Sequence, residues 1–151
     1  MTARLPRMIL LAALAAFPVL AGCTPEMPGT PTTPPLQPPL VDTSWLLESL
    51  GRPGDLHPAL EGTEVTLSFS GDAEAMGSAG CNGYGGSYTS DRDGALSFTD
   101  IFHTEMYCMQ PGVMDQEQEF LDALAAAERY EVLDGKLRIT GGGKLLVLVK
   151  S

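Results

Sequence analysis

The chain has 151 residues, of which 44% are hydrophobic and 19% charged, and its formal net charge is −10. This composition excludes a disordered polyelectrolyte and a multi-span membrane protein, and the length suits one small domain. Nineteen acidic against nine basic residues leave no extended basic surface, so nucleic-acid binding is not expected.

Residues 1–22 have the features of a lipoprotein signal peptide. Two arginines precede the apolar run of residues 8–21, which is too short to span a bilayer comfortably. The sequence LAGC, which ends at Cys23, resembles the bacterial lipobox and implies cleavage before Cys23 and acylation of its thiol, with palmitate among the acyl chains. Several acyl chains anchor a protein stably. By resemblance to enterobacterial sorting rules, Thr24 implies the outer membrane, with the protein facing the periplasm.

Residues 23–41 are predicted to be the lipidated cysteine and a proline-rich tether. Seven prolines and one charge, Glu26, lie between Thr24 and Val41. Such a composition favours polyproline II and buries no core, although it can also be the ligand of a recognition groove. We expect this tether to hold the folded domain, residues 42–151, away from the membrane.

The folded domain alternates short apolar–polar segments with turn residues, which is typical of antiparallel strands. In residues 63–70 one face carries Val65, Leu67 and Phe69, and the other face is polar. Turn pairs such as Gly71-Asp72 separate the segments. The predicted strands are residues 44–50, 63–70, 73–79, 87–90, 95–99, 130–133, 136–140 and 144–150.

One helix is predicted from about residue 113 to 129, and Pro111-Gly112 marks its start. Its apolar face consists of Val113, Phe120, Leu121, Leu124 and Ala125. The fold class is therefore α+β and mainly β, with about eight strands in an antiparallel sheet or partly open barrel on which the helix packs.

Three motifs follow one another in the domain. They are the glycine-rich motif with Gly80, Cys81, Asn82, Gly86 and Tyr88, a second motif with Thr104, Met106 and Cys108, and the helical segment 119–124. In this order they resemble the META domain family, which includes HslJ-like bacterial lipoproteins. The resemblance spans residues 42–150 and implies a conical, barrel-like β fold with one helix, an envelope location, a link to stress tolerance, and no enzymatic activity or cofactor. Glu105 and His103 are outside the family pattern.

Lipidation of Cys23 leaves two cysteines, Cys81 and Cys108. An exported chain meets an oxidising compartment, where an even number of remaining cysteines indicates a disulfide. The sequence therefore predicts a structural bond between Cys81 and Cys108.

Two alternatives use the same sulfurs. One is a soft-metal site for copper, whose ligands would be Cys81, His103, Met106, Cys108 and Met109. The two methionines are nevertheless more often core residues. The other is thiol chemistry, with Cys108 as nucleophile, His103 as base and Glu105 orienting it.

The glycine-rich stretch 77–86 is predicted to form a bend or bulge, since glycine permits close backbone approach. Tyr84 and Tyr88 are expected to pack across the sheet, with Trp45 in the core. Alternatively, the tyrosines form a surface cluster that stacks on a sugar or a peptide.

These observations predict a lipid-anchored envelope protein with a non-enzymatic domain that has a binding or structural role in envelope stress tolerance. Its expected contacts are the membrane, through the anchor, and an envelope protein. The alternative function is a small-ligand carrier that uses the barrel interior.

Overall fold

The computed structural model describes residues 35–151, and the predictions for the signal peptide, for Cys23 and for the tether up to residue 34 lie outside this range. Within it, no helix is long and apolar enough to cross a membrane. The elements in chain order are β1 (Thr43–Arg52), β2 (Asp55–Pro58), β3 (Thr66–Phe69), β4 (Glu74–Ser78), β5 (Gly83–Ser90), β6 (Leu96–His103), α1 (Val113–Ala125), β7 (Arg129–Leu133), β8 (Lys136–Gly141) and β9 (Lys144–Lys150).

The strands form one antiparallel sheet that curls into a half-barrel, which confirms the predicted fold class. Eight of them follow the order β6-β5-β4-β3-β1-β9-β8-β7, and the short β2 pairs with β1. The ends of this path approach each other at an isolated bridge between Ala95 and Arg129. The helix α1 packs against β6, β8 and β9, which are strands from both ends of the path.

β3 illustrates why alternation predicts these strands. Leu67 and Phe69 are buried, whereas Thr66 and Ser68 are half-buried on the other face. Leu67 stands opposite Trp45 of β1, and both side chains belong to the core. The prediction that Trp45 is a core residue is therefore confirmed.

The helix α1 fills the interior of the curled sheet. Phe120 is fully buried, and its ring meets that of Tyr84 edge to face, with the centroids 5.5 Å apart. The helix begins after Gly112, whose φ of 81° is in the left-handed region that glycine adopts without strain. The start predicted at Pro111-Gly112 is thus confirmed.

The helix ends at Ala125, and the predicted end near residue 129 is wrong. Gly141 of β8 passes so close that a Cβ there would lie 1.8 Å from the carbonyl oxygen of Ala126. This approach leaves no room for another helical turn, and β7 begins at Arg129 instead. Ala125, which was predicted on the apolar face, is exposed.

Several strand boundaries differ from those that the sequence predicts, and one strand is not predicted at all. β2 has no predicted counterpart, β5 begins at Gly83 inside the predicted bend, and β6 continues to His103. Glycines can lie in β5 because the neighbouring strand covers them: a Cβ on Gly85 would lie 2.8 Å from the ring of Phe102. The register between β5 and β6 shifts between Gly85 and Ser87, so the predicted bulge is confirmed.

Part of the segment 35–41, which the sequence analysis assigns to the tether, contacts the sheet through Gln37 and Leu40. Leu40 is buried in the core. The backbone N–H of Gln37 donates to the carbonyl of Arg92 at 2.7 Å. The side-chain oxygen of Gln37 accepts from the N–H of Val132 at 2.8 Å. The folded unit therefore begins before residue 42, because this segment satisfies backbone groups at the junction between β7 and the β5–β6 turn.

We expect alkaline pH to destabilise the domain through Tyr84. Its hydroxyl donates to the carbonyl of Thr66 at 2.8 Å, and burial raises its pKa above the ordinary value of about 10. The folded domain keeps this proton where the unfolded chain releases it, so the contribution to stability is complete below about pH 10 and is lost as the pH rises above that value. Urea unfolding across this range should show a steeper decline for wild type than for Tyr84→Phe, and equal slopes would contradict the assignment.

Candidate functional site

A buried carboxylate and a buried amide connect α1 to the turn between β4 and β5. Glu117 of α1 and Asn82 of the turn are both almost completely buried. The Asn82 side-chain nitrogen donates to one Glu117 oxygen at 2.6 Å, and its backbone N–H donates to the other at 2.7 Å. Both carboxylate oxygens are thus hydrogen-bonded, as a buried charge requires.

The other side of the same amide binds the loop that follows β6. The Asn82 side-chain oxygen accepts from the backbone N–H of Met106 and from the hydroxyl of Thr104, both at 2.7 Å. Its nitrogen also donates to the carbonyl of Met106 at 3.0 Å. One side chain therefore joins a turn, a loop and the helix, and we call Asn82, Thr104, Met106 and Glu117 the Asn82 cluster.

Cys81 and Cys108 form a disulfide, which confirms the predicted bond. It joins the same turn to the same loop as the Asn82 cluster, and the two residues are separated by 27 positions in the chain. A closed loop of this length stabilises a fold by roughly 3–4 kcal/mol in the chain-entropy model. The loop is therefore fixed both covalently and by hydrogen bonds.

The disulfide does not support the two alternative uses of these sulfurs. In this oxidised state neither Cys81 nor Cys108 is a free ligand or nucleophile. Within residues 35–151, no three His, Cys, Asp or Glu side chains are grouped so that they could hold a metal ion. His103 instead makes a hydrogen bond of 2.8 Å to the carbonyl of the next residue, Thr104. Glu105 is exposed.

The loop displays large apolar side chains to solvent. Tyr107 and Met109 are 80% and 90% exposed, Phe102 at the end of β6 is 68% exposed, and Met106 is exposed as well. The expectation that Met106 and Met109 fill the core is therefore wrong. The Asn82 cluster binds Met106 through its backbone, which leaves the side chain free to point outwards. We call residues 102–109, which are the last two residues of β6 and the six residues after them, the apolar loop.

A groove of about 430 Å³ lies on the sheet near this loop. Met76 of β4 stands opposite Gly85 of β5, and Gly85 stands opposite Phe102 of β6. Gly85, over which the Phe102 ring lies, and Gly86 contribute backbone to the groove, and Glu74 and Asp100 also line it. Sequence analysis missed this groove, although five glycines between residues 77 and 86 are a signal for sheet positions without side chains.

The sequence matches the family model described as META domain over residues 38–151. The chain belongs to the META domain family. This match confirms the resemblance, and it begins inside the segment predicted to be the tether. No curated protein sequence matches the chain significantly.

Solved structures show the same fold. A protein from Burkholderia xenovorans, determined by NMR, is 28% identical with a TM-score of 0.64, and the similarity covers 83% of this chain and 99% of that one. A DUF4847-family protein from Bacteroides vulgatus, determined by crystallography, is 14% identical with a TM-score of 0.52, covering 73% and 93% of the two chains. At that identity the second similarity shows the fold alone.

Several predicted motif residues of this META domain have structural roles. Gly80 has a φ of 110°, which only glycine adopts readily, and it lies next to the disulfide. Tyr88 is buried, and the centroid of its ring lies 4.8 Å from that of Phe69. Tyr84 is also buried, so the tyrosines form part of the core and not a stacking surface. Gly86 lies in β5, where a Cβ would be 2.9 Å from the carbonyl oxygen of Thr99.

Two polar helix residues of the META domain escaped the sequence analysis. Glu117 and Gln116 are both buried, and Gln116 accepts from the N–H of Leu60 at 2.6 Å and donates to the hydroxyl of Thr63 at 3.0 Å. A glutamate at a position adjoining the apolar face was the available signal. These residues fix the helix to the loops around it.

The filled interior of the curled sheet does not support the alternative function of a carrier that holds a small ligand there. Side chains of α1 and of the strands fill it, and the buried core includes Leu50, Leu67, Phe120, Leu124 and Leu148. Three grooves that the described residues form open to the surface, although buried side chains such as Tyr84, Tyr130 and Leu96 contribute to their lining. A ligand would therefore bind outside the sheet.

We expect Asn82→Asp to lower the free energy of unfolding by about 3 kcal/mol, because it buries a second carboxylate beside Glu117 and removes the amide donors. Urea unfolding at neutral pH measures this loss. Thr89→Val is the control, since it removes only an exposed hydrogen bond to Ser97 and should change stability by less than about 0.5 kcal/mol. An Asn82→Asp protein as stable as the control would contradict the role of the cluster.

Proposed function

We propose that the protein is a lipid-anchored envelope protein whose META domain binds another envelope protein through the apolar loop and catalyses no reaction. The observation that carries this proposal is the exposure of Phe102, Tyr107 and Met109 on a segment that a disulfide and buried hydrogen bonds hold in place. Exposed apolar clusters on soluble domains are typical of interaction sites. A role in envelope stress tolerance, which the family resemblance implies, belongs to the same proposal.

The chemistry of the exposed side chains suits recognition. Tyrosine and phenylalanine contribute large contact areas, and methionine adapts its shape to a partner surface. Because the disulfide and the Asn82 hydrogen bonds fix the loop before binding, little conformational entropy is lost when a partner docks. Glu117, the buried carboxylate, has both oxygens occupied by Asn82 and is therefore unsuited to accept a proton from a substrate.

The membrane part of the proposal rests on the sequence. A short apolar run, the LAGC sequence at Cys23 and a proline-rich stretch precede the domain. Acylation at Cys23 would keep the apolar loop within reach of envelope proteins, because at ~3.1 Å per residue a polyproline II tether extends several nanometres. Thr24 supports the outer membrane as the location.

Cys23→Ser is expected to abolish incorporation of labelled palmitate, because it removes the thiol that would be acylated. Metabolic labelling followed by isolation of the protein measures this, and Thr24→Ala, which keeps the thiol, should retain the label. Label that persists on the Cys23→Ser protein would show that another residue is acylated and would refute Cys23 as the anchor.

A photoreactive phenylalanine derivative placed at residue 107 should crosslink an envelope protein in intact cells of the natural host. The same derivative at Arg138, an exposed position on β8, is the control. We expect a discrete adduct from position 107 only, and substitution of Met109 by serine should reduce its yield. Adducts from residue 138 and none from residue 107 would refute the role of the apolar loop.

A further inference from the structure

We propose that the groove on β4, β5 and β6 docks an extended segment of the partner in which a basic residue stands beside an apolar one. This inference rests on the proposed function, since it specifies the chemistry of the partner and the second surface that the partner contacts. The groove is lined by Met76, Gly85, Phe102, Glu74 and Asp100, among others.

The floor and walls of the groove suit an aliphatic chain. Gly85 lies between Met76 and Phe102 in one row across three strands, and the absence of a Cβ there lets the ring of Phe102 lie over its backbone. Met76 and Phe102 are both exposed although each is large and apolar. A volume of about 430 Å³ is within the range of small-ligand pockets and can hold one long side chain and its neighbour.

The charges around the groove favour a cation. Among the described residues neither Glu74 nor Asp100 takes part in an ion pair. From residue 53 to residue 128 the sequence has fourteen acidic residues and one basic residue, Arg92, which lies in the β5–β6 turn. An ammonium or guanidinium group is therefore attracted to Glu74 and Asp100 in this acidic part of the chain, and a nucleic acid or an anionic lipid is repelled.

Two occupants from the chain itself fit less well. Residues 24–34 contain no basic residue and one acidic residue, Glu26, so they lack the complementary charge. A second copy could present the basic residues of β8 and β9, but Lys136 already pairs with Glu48 at 2.6 Å and Lys144 with Glu119 at 3.4 Å. Arg138 and Lys150 are exposed, but their strands are paired on both sides and cannot be inserted as an extended segment. A separate basic protein segment therefore complements the groove better.

Strand addition to β6 is not the mode of binding that the structure favours. Asp100 has a φ of 54°, in the left-handed region, and the register with β5 is irregular at this level. Such a bulge and an outward charge discourage pairing of a further strand. The segment would instead lie across the three strands, with its basic group near Glu74 and Asp100 and its apolar group against the exposed side chains of Met76 and Phe102.

The test uses the full chain with Cys23→Ser, so that no acyl chain competes for apolar probes. Three capped hexapeptides are titrated and followed by fluorescence anisotropy: leucine alternating with lysine, leucine alternating with glutamate, and serine alternating with lysine. We expect binding of the leucine–lysine peptide only, and shifts of amide resonances from β4, β5 and β6. Equal binding of the serine–lysine peptide, or shifts confined to other surfaces, would overturn the proposal.

Charge-matched variants locate the site. Glu74→Gln with Asp100→Asn should weaken the leucine–lysine peptide about tenfold, whereas Glu61→Gln with Glu64→Gln, which removes two charges elsewhere, should weaken it less than about twofold. Phe102→Ser should weaken binding of the leucine–lysine peptide without changing how its affinity depends on salt concentration. Equal effects of the two double variants would show non-specific attraction and refute the groove.

The outcomes separate this inference from the proposed function. A crosslinked partner at residue 107 together with no peptide binding in the groove would refute the inference and leave the proposed function intact. Sedimentation that shows self-association lost in the Glu74→Gln, Asp100→Asn variant would identify a second copy as the occupant and would also refute it.

Discussion

The hydrogen bonds between Asn82 and Glu117 are the constraint on which the rest of the domain depends. A carboxylate removed from water is strongly destabilising unless donors replace the lost hydration. Asn82 supplies those donors from its side chain and its backbone, and its remaining acceptor binds Thr104 and Met106. Docking of α1 into the half-barrel, closure of the β4–β5 turn and placement of the apolar loop are therefore coupled in one buried network.

The disulfide joins the same two segments by a different chemistry. Cys81 precedes Asn82 directly, and Cys108 lies two residues after Met106. The covalent bond restricts the unfolded chain, whereas the amide network acts in the folded state and satisfies buried polar groups. Together they let large apolar side chains remain exposed without collapsing onto the core, which is what a preorganised binding surface needs.

The most distinctive residues of the sequence thus serve the architecture, and the surfaces available for function are next to them. Gly85 and Gly86 belong to the glycine-rich motif, yet they also contribute backbone to the groove. A shared fold among chains of 14–28% identity carries no shared activity by itself, so function has to be argued from side chains such as Phe102 and Tyr107 and from the acidic charge around them.

The sequence by itself determined the strand alternation, the helix start at Gly112 and the pairing of Cys81 with Cys108, because each depends on local periodicity, turn chemistry or cysteine number. Only the tertiary structure decided that Glu117 is buried and that Met109 is exposed. Residue type alone favours an exposed glutamate and a buried methionine. Glu117 is buried nevertheless, because Asn82, 35 positions away in the chain, supplies hydrogen-bond donors to its carboxylate. The end of α1 was also decided by a distant strand, since contacts between segments remote in sequence leave no local pattern to read.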